Sequence, residues 1–165
     1  MKPLVALAFV MFFAGCGYYP VARFAKKALN DNLYVELKVN SANTENSVEI
    51  KDLLNKLIVS RFQKNLASKD DADTIITVEI VSVRDSSIAT NNDGFTTFYR
   101  VNVRVKFFYK NKRGDEREFY NSAYQDYAVS LEDPLITYAN KLEAIKEASS
   151  QCVDKFLTQI AYQGR

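Results

Sequence analysis

The stretch Phe98-Tyr99-Arg100-Val101-Asn102-Val103-Arg104-Val105-Lys106-Phe107-Phe108-Tyr109 decides the fold. Tyr99, Val101, Val103, Val105, Phe107 and Tyr109 occupy alternate positions, interleaved with Phe98, Arg100, Asn102, Arg104, Lys106 and Phe108. A period of two held this long belongs to a strand, because a helix returns to the same face only every three or four residues. A turn around Lys112-Arg113-Gly114 leads back into a second strand, Glu116 to Val129, so the two form a long antiparallel hairpin. Pairing Tyr109 with Arg117 sets Phe107 opposite Phe119, Val103 opposite Ala123 and Tyr99 opposite Tyr127. One face is then apolar, and the other matches Arg100 with Asp126 and Lys110 with Glu116, each pair stabilising by a few tenths of a kcal/mol or so. A slip of one residue would destroy both patterns.

On the N-terminal side, Leu33 to Val39 alternates Val35, Leu37 and Val39 against Tyr34, Glu36 and Lys38, which predicts a first strand. Asn46 and Glu49 resemble a capping box, and Ile50, Leu53, Leu54, Leu57, Ile58, Phe62 and Leu66 then follow helical spacing, giving a helix from Ser47 to about Ala67. Asp70, Asp71 and Asp73 lie in a charged loop without the spacing or closing glutamate of a calcium loop. Thr74 to Arg84 predicts a strand whose phase shifts near Val81 and Val83, the mark of a bulge or of burial on both faces. Asp85 to Gly94 is expected to be a polar connection. After Pro134 a second helix is expected from about Leu135 to Tyr162, burying Tyr138, Leu142, Ile145, Cys152, Phe156 and Ile160. The order β-α-β-β-β-α predicts an α+β fold: a two-layer α/β sandwich, with an approximately four-stranded mixed or antiparallel sheet and two long helices on one face.

The uncovered hairpin face then carries Phe98, Arg100, Arg104, Lys106, Phe108, Tyr120 and Tyr124. Two readings stay open. Aromatic residues favour strands and can simply face solvent. Alternatively the face meets a partner, since Tyr and Arg are enriched in interface cores, and rings beside cations suit an amphiphile with phosphate heads. The hairpin tip adds a candidate basic cluster, Lys110, Lys112, Arg113 and Arg117, which an ordinary solvated turn would also explain.

The N-terminus gives the chain an address. Lys2 is followed by an unbroken apolar run, Leu4 to Phe13, and then by Ala14-Gly15-Cys16. As a helix that run spans about 15 Å, roughly half a bilayer core, so it suits a signal peptide and not a membrane span. Small residues before a cysteine resemble the bacterial lipobox, with Phe13 in place of the usual Leu. The resemblance implies cleavage before Cys16 and acylation of Cys16 on its thiol and new amino group; a plain secretory signal with an incidental cysteine is the alternative. Gly17 in place of the aspartate retention signal points to the outer membrane, on its periplasmic side. The expected organisation is a signal peptide over 1–15, a lipidated tether over 16–32 and a single α/β sandwich domain over 33–165.

Composition narrows the chemistry. A net charge of +2, one unit of it from Lys2, gives no electrostatic case for a nucleic-acid partner. The chain has no histidine, which removes the commonest general base and zinc ligand, and its five glycines form no phosphate loop. With Cys16 modified, Cys152 is a lone thiol, expected to be buried as a small apolar residue. No catalytic constellation, metal site or cofactor is expected, and the chain is not expected to be an enzyme. A hydrolase would have to draw on Asp126, Glu132 and Asp133, and the last two are explained by helix capping.

The start Cys16-Gly17-Tyr18-Tyr19-Pro20, the β-α-β-β-β-α order, Val83-Arg84, Gly94, Tyr99-Arg100-Val101, Tyr109, Gly114 and the long closing helix together resemble the lipopolysaccharide-assembly lipoprotein family, LptE, formerly rare lipoprotein B. Tyr18-Tyr19-Pro20 departs from the Phe-His-Leu type of start. The resemblance implies a subunit that plugs and helps assemble a large outer-membrane β-barrel of the lipopolysaccharide translocon. It implies binding of lipopolysaccharide as well, and the assignment of Lys112 and Arg113 to it rests on their charge and location alone. The membrane itself would be a partner through the acyl chains. The alternative is another periplasm-facing accessory lipoprotein, a lipid-transport auxiliary subunit or a cell-wall synthase activator.

Overall fold

The computed structural model describes Leu29 and residues 32–39, 52, 55–57, 60 and 66–163. Four strands form one sheet in the order β1 (Leu33–Val39), β2 (Thr74–Thr90), β3 (Thr96–Asn111) and β4 (Glu116–Ala128). β1 runs parallel to β2, whereas β2–β3 and β3–β4 are antiparallel hairpins, so the sheet is mixed. Parallel neighbours need a crossover, and residues 52, 55–57 and 60 within it are helical. The C-terminal helix is Pro134–Gln163. The chain is thus an α+β fold with the order β-α-β-β-β-α. Cys16, the tether and most of the first predicted helix lie outside the described residues.

The β3–β4 register is the one that charge and apolar matching predict, from Lys110 opposite Glu116 through Phe107 opposite Phe119 to Tyr99 opposite Tyr127. Ile76, Val78, Ile80, Val101, Val103, Val105 and Phe107 line the inner face. Against them pack Ile145, Ala148, Cys152, Val153, Phe156 and Ile160 of the C-terminal helix, with Leu57 of the first helix at the edge of the same core. Phe107 stacks on Phe156 with ring centroids 4.4 Å apart, and Phe119 meets Phe156 edge-on. Each such ring pair contributes about 0.5–1.5 kcal/mol beyond its burial. Tyr138 and Leu142 of the predicted stripe are only half-buried, because the helix begins beyond the end of the packed strands.

Asp133 stops β4's exit loop and starts the helix. Its Oδ1 accepts the Leu135 amide at 2.8 Å, and Pro134 fills the first helical position, where a missing N–H costs nothing.

Two expectations need correction. Asp85 to Thr90 is strand and not connection: Asp85 pairs with Val101, Ser86 with Arg100 and Ser87 with Tyr99. Polar side chains there are compatible with pairing because the ladder extends past the core, leaving residues 84–88 exposed. The long arm is kinked by register shifts at Ile80/Ser82, where the sequence phase breaks, and again at Ser87/Ala89 and Ala89/Thr90. The first helix also ends before Leu66, which forms a parallel bridge to Leu33, with the Ala67 amide donating to the Leu33 carbonyl at 3.0 Å. The chain must run beside β1 there to enter β2.

The two hairpin turns share one geometry. In Asn91-Asn92-Asp93-Gly94-Phe95 and in Asn111-Lys112-Arg113-Gly114-Asp115, the glycine amide donates to the asparagine carbonyl at 3.1 Å, and the asparagine side-chain oxygen accepts two further amides. Gly94 and Gly114 take φ of 86° and 88°, a left-handed conformation that other residues adopt only with strain.

Candidate functional site

Alternation along β3 and β4 puts Phe98, Arg100, Arg104, Lys106, Phe108, Tyr120 and Tyr124 on the sheet face opposite the core, as the register requires. Tyr120 and Tyr124 are half-exposed, at 51% and 55%. Phe108 is flanked by Thr77 and Glu118 and is partly buried.

The cations on this face are held by rings and carboxylates together. Arg100 lies 4.3 Å from the Tyr124 ring centroid and forks into Asp126, with Nε–Oδ1 of 2.7 Å and Nη2–Oδ2 of 2.9 Å. This hydrogen-bonded fork holds the Asp126 carboxyl below the usual carboxylate range and raises the Arg100 guanidinium further. Lys106 pairs with Glu118 at 2.7 Å and sits 5.6 Å from the Tyr120 centroid, so its ammonium is stabilised first by Glu118 and then by Tyr120. Arg104 shares the same ring at 5.4 Å and has no carboxylate partner among the described residues. Being exposed, these contacts add little to stability. Their effect is positional: they hold aromatic and cationic groups upright in rows.

Register adds a residue that sequence reading missed. Arg84 of β2 pairs with Asn102, next to Ser82 opposite Arg104, so Arg84 and Arg104 lie diagonally on adjacent strands of the same face. Neither has a carboxylate partner among the described residues. The bulge at Ile80/Ser82 brings Arg84 to this face, and no period-two reading across the bulge could assign it.

The hairpin tip is less cationic than its sequence. Lys110 bonds Glu116 at 2.5 Å, Lys112 bonds Asp73 at 3.0 Å, and Asp115 sits beside Arg113 in the same turn. β1, β2 and the tip meet at this end, so Asp73, remote in sequence, neutralises Lys112. Arg117, opposite Tyr109, lies on the core-side face of the sheet and is exposed there. The four do not form one free basic patch.

On the inner side, Asp85 joins the layers: Lys141 of the C-terminal helix pairs with it at 2.6 Å, and it lies against Tyr127, which stacks on Tyr99 at 5.8 Å. Burial, and then Asp85, pushes the Tyr127 phenol well above its ordinary value. Among the described residues no group of His, Cys, Asp or Glu is arranged to hold a metal ion, and no helix is long and apolar enough to cross a membrane.

The fold is thus a helix-covered sheet whose other face presents ordered tyrosines and cations. The family model described as "LptE: Lipopolysaccharide-assembly" matches residues 34–160. The chain belongs to this lipopolysaccharide-assembly family. Among solved structures it is similar to rare lipoprotein B from Shewanella oneidensis, at 15% identity and a TM-score of 0.55, covering 80% of this chain and 95% of that one. A candidate lipoprotein from Caulobacter crescentus superposes with a TM-score of 0.56 at 13% identity, over 88% of this chain and 95% of that one. Such low identities establish a shared fold. Among curated proteins no sequence match is found.

Proposed function

We propose that this chain is an outer-membrane lipoprotein, acylated at Cys16 and facing the periplasm, that plugs and helps assemble the β-barrel of the lipopolysaccharide translocon. On this reading residues 1–15 are removed, 16–32 form the tether, and the remainder is one folded domain. The observation that carries it is the exposed sheet face, where Phe98, Arg100, Arg104, Lys106, Phe108, Tyr120 and Tyr124 stand with Arg84. Large barrels have polar lumens that a filler must match with polar, ring-bearing surface and not with an apolar one. The acyl chains, each methylene contributing about 0.8 kcal/mol on burial, would hold the domain where the barrel opens to the periplasm and raise its effective concentration there.

The test is affinity purification of the tagged, acylated chain from detergent-extracted membranes, followed by mass spectrometry. The expected result is one large outer-membrane barrel in stoichiometric amount. Recovery of an inner-membrane enzyme in its place would move the chain to the accessory-activator class. Within the complex, Arg104→Glu with Lys106→Glu is expected to lower barrel recovery severalfold while the circular dichroism of the domain stays unchanged. Unaltered recovery would remove this face from the interface.

A further inference from the structure

The two ends of the hairpin stack are chemically unlike. Of the ten large hydrophobic residues exposed among the described residues, six lie at one end: Ile88, Phe95, Phe98, Leu131, Leu135 and Ile136. Their gathering follows from topology. Phe95 closes the β2–β3 turn, Phe98 pairs with Ala128 at the end of β4, and the Val129 amide donates to the Thr97 carbonyl at 2.8 Å. The exit loop then leads directly into the helix at Pro134, tied back by the Ser130 amide donating to Thr137 Oγ1 at 2.9 Å. Phe95 is 61% exposed and Leu135 76%, too much for residues that serve the core.

This end also lacks cations. Residues 86–98 and 128–138 contain Asp93, Glu132 and Asp133 but no Lys or Arg. The nearest cations are committed elsewhere, Arg100 to Asp126 and Lys141 to Asp85. The opposite end holds the start of β1, beside the Asn111–Asp115 turn. β3, with 16 residues, spans about 50 Å between them.

From this polarity we infer that the end bearing Phe95 and Leu135 is a protein-docking surface, seated against an apolar, positively charged surface of the barrel subunit. The inference rests on the plug reading and adds which end docks. An acidic, cation-free surface is repelled by anionic headgroups, so a membrane is the wrong occupant. Two copies of the same acidic end would also repel each other, whereas a basic apolar surface complements it.

The test uses the full acylated chain in its native membranes. Phe95→Asp with Leu135→Asp keeps the fold accessible, since Phe95 is exposed and an aspartate in the first helical turn favours the helix dipole. The expected result is at least a tenfold loss of barrel co-purification with unchanged thermal melting. In the otherwise wild-type chain, a photo-cross-linking residue at position 95 is expected to give an adduct with the barrel. Undiminished barrel recovery by the double variant, or an adduct from position 95 to lipid or to a second copy in place of the barrel, overturns this inference and leaves the plug reading standing. Failure of the wild-type chain to recover any barrel overturns both.

Discussion

Cys152 is buried where the helical period of its neighbours places it, and that burial sets its chemistry. It is fully buried, its thiol faces the Val103 carbonyl at 3.8 Å, and burial pushes its pKa up to about 11. In a chain carrying Cys16→Ser, it should resist thiol reagents at pH 8 and label fully only in denaturant, as followed by mass shift. Rapid labelling of the native chain would contradict its burial. The shift also sets a pH dependence. The unfolded thiol titrates near 9.0, so unfolding releases a proton between about pH 9 and 11. Stability is intact below pH 9 and falls through that window, by at most about 1.4 kcal/mol per pH unit for one group. Tyr127, also raised, adds a loss in the same direction at higher pH. Urea midpoints at pH 8 and 10.5 measure it, and Cys152→Val should flatten the earlier part of the decline. Arg84 is the opposite case: an exposed residue whose membership of the tyrosine–cation face depends on the bulge at Ile80/Ser82.

At the scale of the element, the β3–β4 hairpin was visible as alternating runs joined by a turn around Lys112-Arg113-Gly114, and its register followed from matching charges and rings. The shared turn geometry fixes where each hairpin closes. Each asparagine side chain replaces a turn of backbone hydrogen bonding, and each glycine supplies the left-handed residue. Asn111 Oδ1 accepts the Arg113 and Asp115 amides at 3.0 and 2.9 Å, and its Nδ2 donates to Asp115 at 2.8 Å. Asn111→Ala should therefore cost about 1–2 kcal/mol in chemical denaturation, against a few tenths for the neighbouring Lys112→Ala. Equal costs would show that the turn is held by the strands alone. The end of β2 was illegible for a physical reason: polar residues that pair beyond the core obey backbone hydrogen bonding without any apolar alternation to announce it.

For the whole molecule, one sheet separates two surfaces with different work to do. The inner face holds Phe107, Phe156 and the valines that hold the layers together; the outer face stands tyrosines and cations in rows; and the two hairpin turns, alike in backbone, carry unlike side chains at ends about 50 Å apart. If Cys16 serves to position this body at the barrel mouth, Cys16→Ser should leave the thermal melt of the domain unchanged and lower the yield of assembled barrel severalfold in membrane fractions. Full assembly without the acyl group would confine the cysteine to localisation.

Sequence by itself determined the element order, the hairpin register and the core stripe of the C-terminal helix, because periodicity and local charge matching act between residues close along the chain or directly across a turn. It also sufficed to suggest the family. Only the tertiary structure decided that Arg84 joins Arg104, that Asp73 neutralises Lys112, and that Ile88, Phe95, Leu131 and Leu135 meet at one end. Those groupings depend on a bulge, a crossover and a strand–helix return, which bring together residues whose separation along the chain carries no signal of their contact.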